Sequence, residues 1–198
     1  MKTLLITVFL IIGVIVSKET KAHTRANISS IVTVIVHRLD GGLSRATGFF
    51  VDERHIVTNY HVVYRRKNSA IILNIDGVMT YGLVVYEKPK SDLALIELNS
   101  HKRGRTPFNL CKEDTIKEGQ RVRLISRSPG VKLDFMRIKE VTDYWTVLDQ
   151  RPEPGDSGSP IVRGYGRDKC VIGVVTACQT LEDITIVINV QALRDFLK

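Results

Sequence analysis

Cysteine is scarce in this 198-residue sequence, which has three. Cys170 and Cys178 stand eight residues apart in a predicted strand, about 26 Å when extended, whereas the Cα atoms of a disulfide lie about 4 to 7 Å apart. These two cysteines are therefore not expected to pair, although Cys111 can meet either of them in space. An odd count leaves at least one thiol outside any intramolecular bridge. The sequence thus excludes a disulfide-rich scaffold, and its cysteines lack the spacing of a zinc site.

Aromatic residues are also sparse, at 7% of the chain, and they are not interleaved with the basic residues. The formal net charge is +8, with local concentrations at Arg65–Lys67 and His101–Arg105. Proteins that bind single-stranded nucleic acid usually combine a basic groove with stacking aromatic side chains. We therefore interpret the basic residues as a solvated face and expect no nucleic-acid partner. Attraction to acidic substrates or anionic surfaces is the alternative.

Long apolar runs are absent except for Leu4–Val16, which follows Met1-Lys2 and precedes a polar stretch that contains Ala22. As a helix this run spans about 20 Å, less than the roughly 30 Å of a bilayer's hydrocarbon core. The pattern predicts a secretory signal peptide over residues 1–22, with an uncleaved membrane anchor as the alternative. In both cases we predict that the rest of the chain is exported, to the periplasm or the extracellular space.

Short strands dominate the remainder of the sequence. They fall into two groups, separated by a polar, basic segment without apolar periodicity at about residues 99–107. The predicted strands cover residues 29–39, 46–52, 55–59, 70–75, 79–86 and 93–98 in the first group, and 108–111, 121–126, 132–141, 145–148, 160–163, 171–176 and 185–189 in the second. This arrangement predicts two antiparallel barrels or sandwiches, at about residues 28–99 and 108–190, followed by a helix at about 191–198.

The segment Pro154–Pro160 is a glycine-bracketed turn that presents the hydroxyl of Ser157. A serine attacks a carbonyl only when a base takes its proton and N–H groups receive the negative charge on oxygen. Gly155 and Gly158 allow the backbone to curl, so that the N–H groups of Gly155 and Ser157 converge on one point. Because the same residue types also make ordinary surface turns, Ser157 needs catalytic companions to be more than a turn residue.

Two upstream segments place an imidazole and a carboxylate at strand ends. His61 follows a short strand, and Asp92 precedes the apolar strand Leu93–Leu98. Alone, His61 would be a histidine at the edge of the core and Asp92 a turn residue. The order His61, Asp92, Ser157 weakens both alternatives, because acyl transfer needs a base, a group that orients it and a nucleophile.

Three segments together, TGFFVDERHIVTNYHVV, SDLALIEL and PGDSGSPIV, closely resemble the trypsin-like serine endopeptidases, especially the Deg/HtrA type. The resemblance covers about residues 29–197. It implies an all-β fold of two packed six-stranded antiparallel β-barrels, with the active site in the cleft between them, and a trypsin-like peptidase domain over residues 23–198. It also implies that His61 is the general base, that Asp92 orients its imidazole and that Ser157 forms an acyl-enzyme. The Gly155 and Ser157 N–H groups would form the oxyanion hole, and neither a metal nor a cofactor is implied.

Arg151 departs from the trypsin pattern. It stands six residues before Ser157, where the family counterpart shapes the primary specificity pocket. An arginine there argues against a preference for basic substrates and favours an acidic residue before the scissile bond, because guanidinium binds carboxylate in a bidentate pair. The alternative is that Arg151 points to solvent and that the pocket, bordered by Thr176, Ala177 and Cys178, takes small apolar residues.

The resemblance also sets expectations about partners. The expected partner is a polypeptide substrate, with membrane contact only if the N-terminal segment stays uncleaved. Relatives of the Deg/HtrA type usually carry a PDZ domain after the protease and often form oligomers. No PDZ domain follows the protease segments in this sequence, so we expect a free-standing protease domain whose oligomeric state is open. A pseudoprotease that captures partners in its cleft is the competing functional class, and the presence of all three catalytic residue types favours the enzyme.

Overall fold

The computed structural model describes residues 29–37, 41–64, 66, 69–100, 105–112, 116–127, 130–165, 168–179 and 183–198. The strands of the first half are β1 (Ile31–His37), β2 (Leu43–Phe50), β3 (His55–Thr58), β4 (Ala70–Ile75), β5 (Val78–Lys88) and β6 (Leu93–Leu98). Those of the second half are β7 (Arg121–Ser126), β8 (Lys132–Val141), β9 (Trp145–Leu148), β10 (Pro160–Arg163), β11 (Cys170–Gln179) and β12 (Ile184–Asn189). Helix α1 (Tyr60–Val63), a 3₁₀ turn (Pro89–Ser91) and helix α2 (Val190–Phe196) complete the described elements.

The strands form two closed antiparallel barrels. The first has the strand order β1-β2-β3-β6-β5-β4 and the second the order β10-β11-β12-β9-β8-β7. Alternation builds each interior, as in β4, where Ile71, Leu73 and Ile75 are buried and the residues between them are more exposed. The predicted all-β fold of two six-stranded barrels with a C-terminal helix is confirmed.

In addition to the two barrel interiors, an apolar cluster lies between the barrels and packs them against each other. Its buried residues are Ile31, Phe49, Val57, Leu93, Phe108, Ile125, Val162, Val171, Val174, Ile188, Leu193 and Phe196. Helix α2 is capped by the Asn189 side chain, which accepts a hydrogen bond from Ala192 N at 3.0 Å. From this helix of the second half, Phe196 stacks on Tyr86 of β5 at a ring-centroid distance of 5.2 Å. The apolar cluster and the contact of α2 with β5 therefore fix the position of one barrel against the other.

An ion-pair network also connects the two halves. Asp76, in the turn between β4 and β5, lies 2.7 Å from Arg105 Nη2 and 2.7 Å from Arg127 Nη1. Arg127 follows β7 directly, and its backbone carbonyl accepts a hydrogen bond from the Thr33 hydroxyl at 2.9 Å. Partial burial acts to raise the pKa of Asp76, but the two guanidinium groups outweigh it and hold that pKa below its usual value.

The predicted strand at residues 108–111 is wrong. This segment makes one isolated parallel bridge, Leu110 to Val171, with hydrogen bonds from Cys111 N to Val171 O and from Val171 N to Asn109 O. β10 occupies one edge of β11 and β12 occupies the other from Gly173 onward, so this segment can reach only the start of β11. The buried side chain of Phe108 contributes to the cluster between the barrels instead.

Cys111 forms a disulfide with Cys170 at the start of β11, with a Cα–Cα distance of 4.8 Å. This settles which pairing the chain adopts and agrees with the expectation that Cys170 does not pair with Cys178. The bond ties the segment between the barrels to the second barrel across 59 residues of sequence.

Replacing both Cys111 and Cys170 by alanine should lower the free energy of unfolding by about 2–4 kcal/mol, because the unfolded chain regains the freedom of a long closed loop. Guanidinium unfolding with and without reductant measures this loss. Reductant should destabilise the wild type and leave the double variant unchanged, with Cys178→Ala as the control that keeps the response to reductant. Equal stability of the reduced and oxidised wild type would contradict a stabilising role for the bond.

The predicted signal peptide, residues 1–22, lies outside the described residues, as do residues 101–104 of the predicted linker. No helix in the described part of the chain is long and apolar enough to cross a membrane.

Candidate active site

His61 and Asp92 form a hydrogen-bonded pair at one edge of the first barrel. His61 Nδ1 lies 2.8 Å from Asp92 Oδ2, and the His61 backbone N–H donates to Asp92 Oδ1 at 2.9 Å. His61 lies in α1 just after β3, and Asp92 stands just before β6, which pairs with β3. Neighbouring strands therefore bring the imidazole and the carboxylate to the same edge. Asp92 has a left-handed φ of 48°, a conformation that aspartate tolerates better than most residues.

Three further groups hold Asp92 in place. Its backbone carbonyl accepts hydrogen bonds from Asn59 Nδ2 and Tyr60 N, both at 3.1 Å. The hydroxyl of Thr176, on β11, donates to Asp92 Oδ2. Because Thr176 belongs to the second barrel, this contact sets the His61–Asp92 pair against the opposite wall of the cleft. The sequence placed Thr176 at the specificity pocket and did not reveal this bond.

The Ser157 turn lies between β9 and β10 and is anchored to both barrels. Ser157 O accepts a hydrogen bond from Thr47 N of β2 at 2.9 Å. Gly158 N donates to Val175 O at 2.9 Å, one residue before Thr176. The turn therefore lies beside the β11 residue that contacts Asp92, and the three predicted catalytic residues belong to the same junction between the barrels.

Two N–H groups of this turn have no acceptor among the residues that the structure describes. Asp156 N donates to Glu153 O at 3.0 Å and Ser159 N to Asp156 O at 2.9 Å. Among the described residues, the N–H groups of Gly155 and Ser157 donate to no protein acceptor. Gly155 has a φ of 99°, which glycine adopts without steric cost. The two predicted oxyanion donors are thus available to an oxygen from outside the protein.

Thr47 supports the same turn in a way the sequence did not indicate. Its hydroxyl donates to Gly155 O at 3.0 Å, and Arg127 N donates to that hydroxyl at 3.2 Å. Thr47 O accepts a hydrogen bond from the buried hydroxyl of Thr58 at 2.8 Å. Thr47 reads as an ordinary strand residue, so no local pattern distinguishes it.

Gly158 is required sterically as well as conformationally. Its φ is 82°, and a Cβ at this position would lie 2.0 Å from Thr47 O and 2.6 Å from Thr58 Oγ1. The first barrel therefore touches the backbone of the Ser157 turn directly.

Gly158→Ala should lower the free energy of unfolding by at least about 3 kcal/mol, because left-handed strain adds to a clash with backbone. Gly119→Ala is the matched control, since Gly119 has a φ of 77° with nothing within 4 Å of the added Cβ. Only the conformational part, about 1–2 kcal/mol, should be lost there. Urea unfolding compares the two variants, and equal losses would show that the contact with Thr47 is unimportant.

A pocket of about 310 Å³ opens beside Ser157. It is lined by Arg151, Pro152, Glu153, Pro154, Gly155, Ser157, Val175 and Thr176. Two predicted specificity residues, Arg151 and Thr176, thus share a pocket with the candidate nucleophile. Arg151 is exposed and forms no ion pair with a described residue. The side chains of the other two, Ala177 and Cys178, lie outside the described residues.

Two closed six-stranded barrels, with a His–Asp pair and a glycine-bracketed serine turn at their junction, define the chymotrypsin-fold class of proteins. The family model described as trypsin-like peptidase domain matches residues 46–174. The chain belongs to this family, as its three sequence segments predicted.

Similar proteins agree with this assignment. Two curated relatives, from Chlamydia trachomatis and Chlamydia pneumoniae, are each named probable periplasmic serine endoprotease DegP-like. Each is 30% identical over 146 residues, which is 67% of this chain and 28% of the relative. The chain thus matches little more than a quarter of these relatives' length.

Solved structures of low sequence identity share the fold. The Rv3671c protease from M. tuberculosis in its active form superposes with a TM-score of 0.75 at 22% identity, over 88% of this chain and 82% of that chain. The HtrA-type protease AlgW with tripeptide superposes with a TM-score of 0.72 at 20% identity, over 87% of this chain and 60% of that chain. At these identities the likeness shows the fold alone.

Proposed function

We propose that this protein is an exported serine endopeptidase that hydrolyses peptide bonds through His61, Asp92 and Ser157. The observation that carries the proposal is the direct His61–Asp92 pair, held against β11 by Thr176, at the same junction as a serine turn whose Gly155 and Ser157 N–H groups have no acceptor among the described residues. Family membership supports the same reaction class.

In the proposed mechanism, Asp92 accepts a hydrogen bond from the N–H at His61 Nδ1. The proton stays on Nδ1, so Nε2 is unprotonated and can act as the base. Nε2 takes the Ser157 hydroxyl proton while Oγ bonds to the substrate carbonyl carbon. The Gly155 and Ser157 N–H groups stabilise the negative charge on the carbonyl oxygen. The imidazolium then gives its proton to the leaving amine as the C–N bond breaks. Water, activated by the same imidazole, hydrolyses the acyl-enzyme and restores Ser157.

A fluorophosphonate probe tests this function, because it phosphonylates only an activated serine. Wild-type protein should gain one adduct, which peptide mass spectrometry locates at Ser157, and it should cleave unfolded casein. A folded wild type that takes up no probe and leaves casein intact would contradict the enzyme and favour the pseudoprotease.

For substrate choice we propose that Arg151, with Thr176, Ala177 and Cys178 along the neighbouring strand, forms the pocket for the residue before the scissile bond. Arg151 lines the Ser157 pocket and makes no ion pair with a carboxylate among the described residues. A substrate carboxylate would supply that partner. The pocket therefore favours glutamate or aspartate at this position.

Arg151→Gln should lower kcat/KM about 10-fold for peptides with glutamate before the scissile bond, since a charge-assisted hydrogen bond is lost at a solvent-accessible site. Peptides that differ only in glutamate, glutamine or alanine at that position measure the change. Lys139→Gln removes the same charge from an exposed residue outside the pocket lining and should leave the profile unchanged. Equal wild-type cleavage after alanine and glutamate would contradict the acidic preference.

We further propose that residues 1–22 direct export and that residues 23–198 are the peptidase domain. The names of the chlamydial relatives, which describe periplasmic proteases, support export. The proposed partner is a polypeptide substrate, with no nucleic-acid partner and with membrane contact only if the N-terminal segment is retained.

A further inference from the structure

Arg127, the residue directly after β7, joins the second barrel to the first. Its guanidinium Nη1 lies 2.7 Å from Asp76 Oδ1 and donates to Ile31 O at 2.8 Å. Its backbone carbonyl accepts the Thr33 hydroxyl at 2.9 Å. All three partners belong to the first barrel, so they hold a residue at the end of a second-barrel strand in place.

The backbone of Arg127 reaches the Ser157 turn through one hydroxyl. Arg127 N donates to Thr47 Oγ1 at 3.2 Å, and that hydroxyl donates to Gly155 O at 3.0 Å. A threonine hydroxyl has a single proton to donate and two lone pairs that accept. An N–H donor on one lone pair therefore directs the proton away from Arg127 and toward Gly155 O.

Thr47 also connects the turn to the candidate base. Thr47 N donates to Ser157 O at 2.9 Å, and Thr47 O accepts the Thr58 hydroxyl at 2.8 Å. Thr58 ends β3, just before the helix that carries His61, and β3 pairs with β2, the strand of Thr47. A shift in the contacts of Thr47 therefore changes the position of Ser157 relative to His61.

We propose that Arg127 is a positioning residue for the reaction. Its guanidinium, held by Asp76, fixes the backbone N–H that sets the Thr47 hydroxyl. The hydroxyl in turn keeps the Ser157 turn aligned with His61. This inference rests on the proposed function. Without the guanidinium the backbone N–H can move away from the hydroxyl, and a misplacement of about 1 Å between reacting groups can cost about 100-fold in rate.

Arg105 provides a matched control, because it makes similar contacts without the connection to the turn. Its Nη2 lies 2.7 Å from Asp76 Oδ2, and its Nη1 donates to the Ser29 carbonyl. Its side chain is 14% exposed, as is that of Arg127. Among the described residues, no hydrogen bond joins Arg105 to Thr47 or to the Ser157 turn. Replacing either arginine with glutamine thus removes one charge and one ion pair with the same carboxylate.

Arg127→Gln should lower kcat for a fluorogenic peptide about tenfold or more and change KM less than about twofold, because the loss affects the reacting geometry. Arg105→Gln should keep kcat within about twofold of the wild type, while urea unfolding shows similar losses of stability in both variants. Arg127→Lys keeps the charge and should restore kcat to within about threefold of the wild type. Equal kcat values for the two glutamine variants would overturn the inference and leave the proposed function standing.

A double-variant cycle tests whether Arg127 acts through the hydroxyl. Thr47→Val removes the hydroxyl and keeps the branched shape of the side chain. In that background, adding Arg127→Gln should change kcat less than about threefold. A fall as large as the one in the wild-type background would overturn the inference.

Asp76→Asn replaces Arg127→Gln if that variant does not fold. It removes the negative charge of the same ion pair, and asparagine tolerates the left-handed φ of 54° at this turn position. It should also lower kcat about tenfold or more with little change in KM. Asp183→Asn is its control, because Asp183 is an exposed aspartate with a φ of 49° and no ion pair with a described residue. A folded Asp76→Asn variant with the kcat of this control would overturn the inference.

Hydrogen–deuterium exchange of residues 153–158 distinguishes failure of the inference from failure of the proposed function. If the wild type cleaves no peptide, faster exchange of this segment in Arg127→Gln than in Arg105→Gln would still support the role of Arg127. Equal exchange in the two variants would overturn it.

Discussion

Ser157→Ala should lower kcat for peptide hydrolysis by about 10⁶-fold, the loss seen when the nucleophile of a serine protease acting through a triad is removed. The substitution deletes one oxygen and leaves the turn intact, because the hydrogen bonds that hold the turn involve backbone atoms. Ser157 O would still accept from Thr47 N, and Gly158 N would still donate to Val175 O. KM and the free energy of unfolding should therefore change little. Hydrolysis of a fluorogenic peptide and urea unfolding measure the two quantities.

The contrast between activity and stability is the decisive part of this experiment. A fall in kcat with an unchanged unfolding midpoint assigns the loss to the missing hydroxyl. If the variant keeps more than about 1% of wild-type activity while folded, Ser157 is not the nucleophile. A contaminating protease is excluded when the fluorophosphonate abolishes the wild-type activity and labels a single chain.

Asp92→Asn should lower kcat about 10⁴-fold, as the equivalent change does in a serine protease triad. In the structure, Asp92 Oδ2 faces His61 Nδ1 and also accepts the Thr176 hydroxyl, while Oδ1 accepts His61 N. Two acceptor oxygens therefore face three donors. An amide replaces one acceptor with a donor, which favours the imidazole tautomer that carries its proton on Nε2 and cannot take the serine proton.

The chain contains a matched control for this substitution. Asp52 and His55 form the same kind of pair, with Asp52 Oδ2 2.7 Å from His55 Nδ1 and Asp52 Oδ1 accepting His55 N at 2.7 Å. Asp52→Asn should change kcat less than about twofold, because no predicted site residue takes part in this pair. Steady-state kinetics on one peptide compares the two variants. A similar change in kcat for both would contradict the role of Asp92.

Much of the fold is predictable from local pattern. The alternation in Ala70–Ile75 and the apolar run in Leu93–Leu98 give the strand bounds that the structure has. Both strands line a barrel whose interior accepts every second side chain, so the period of two is preserved in the sequence. The strand prediction for residues 108–111 was wrong because its apolar residues do not belong to a sheet. Its Phe108 and Cys111 are apolar because they pack between the barrels and in the disulfide, and neither position requires a strand.

In the candidate site too, some features have a local signal in the sequence and others depend on the tertiary structure. His61, Asp92 and Ser157 could be proposed as catalytic residues from the sequence because each stands in a short segment with its own signal: a strand end, an acid before an apolar strand, a glycine-bracketed turn. The contact of Thr176 with Asp92 has no such signal. The two residues lie 84 positions apart, so their contact depends on how the strands close.

The sequence by itself determined the strand-rich pattern, the two-part organisation, the family resemblance and the three candidate catalytic residues, because these are written in local periodicity and in short motifs. Only the tertiary structure decided that Cys111 bonds to Cys170, that Thr176 holds Asp92, and that the pocket beside Ser157 includes Arg151. The disulfide and the Thr176–Asp92 contact join residues 59 and 84 positions apart in sequence. Barrel closure and the packing of one barrel on the other bring them together, and neither is encoded in a local stretch of the chain.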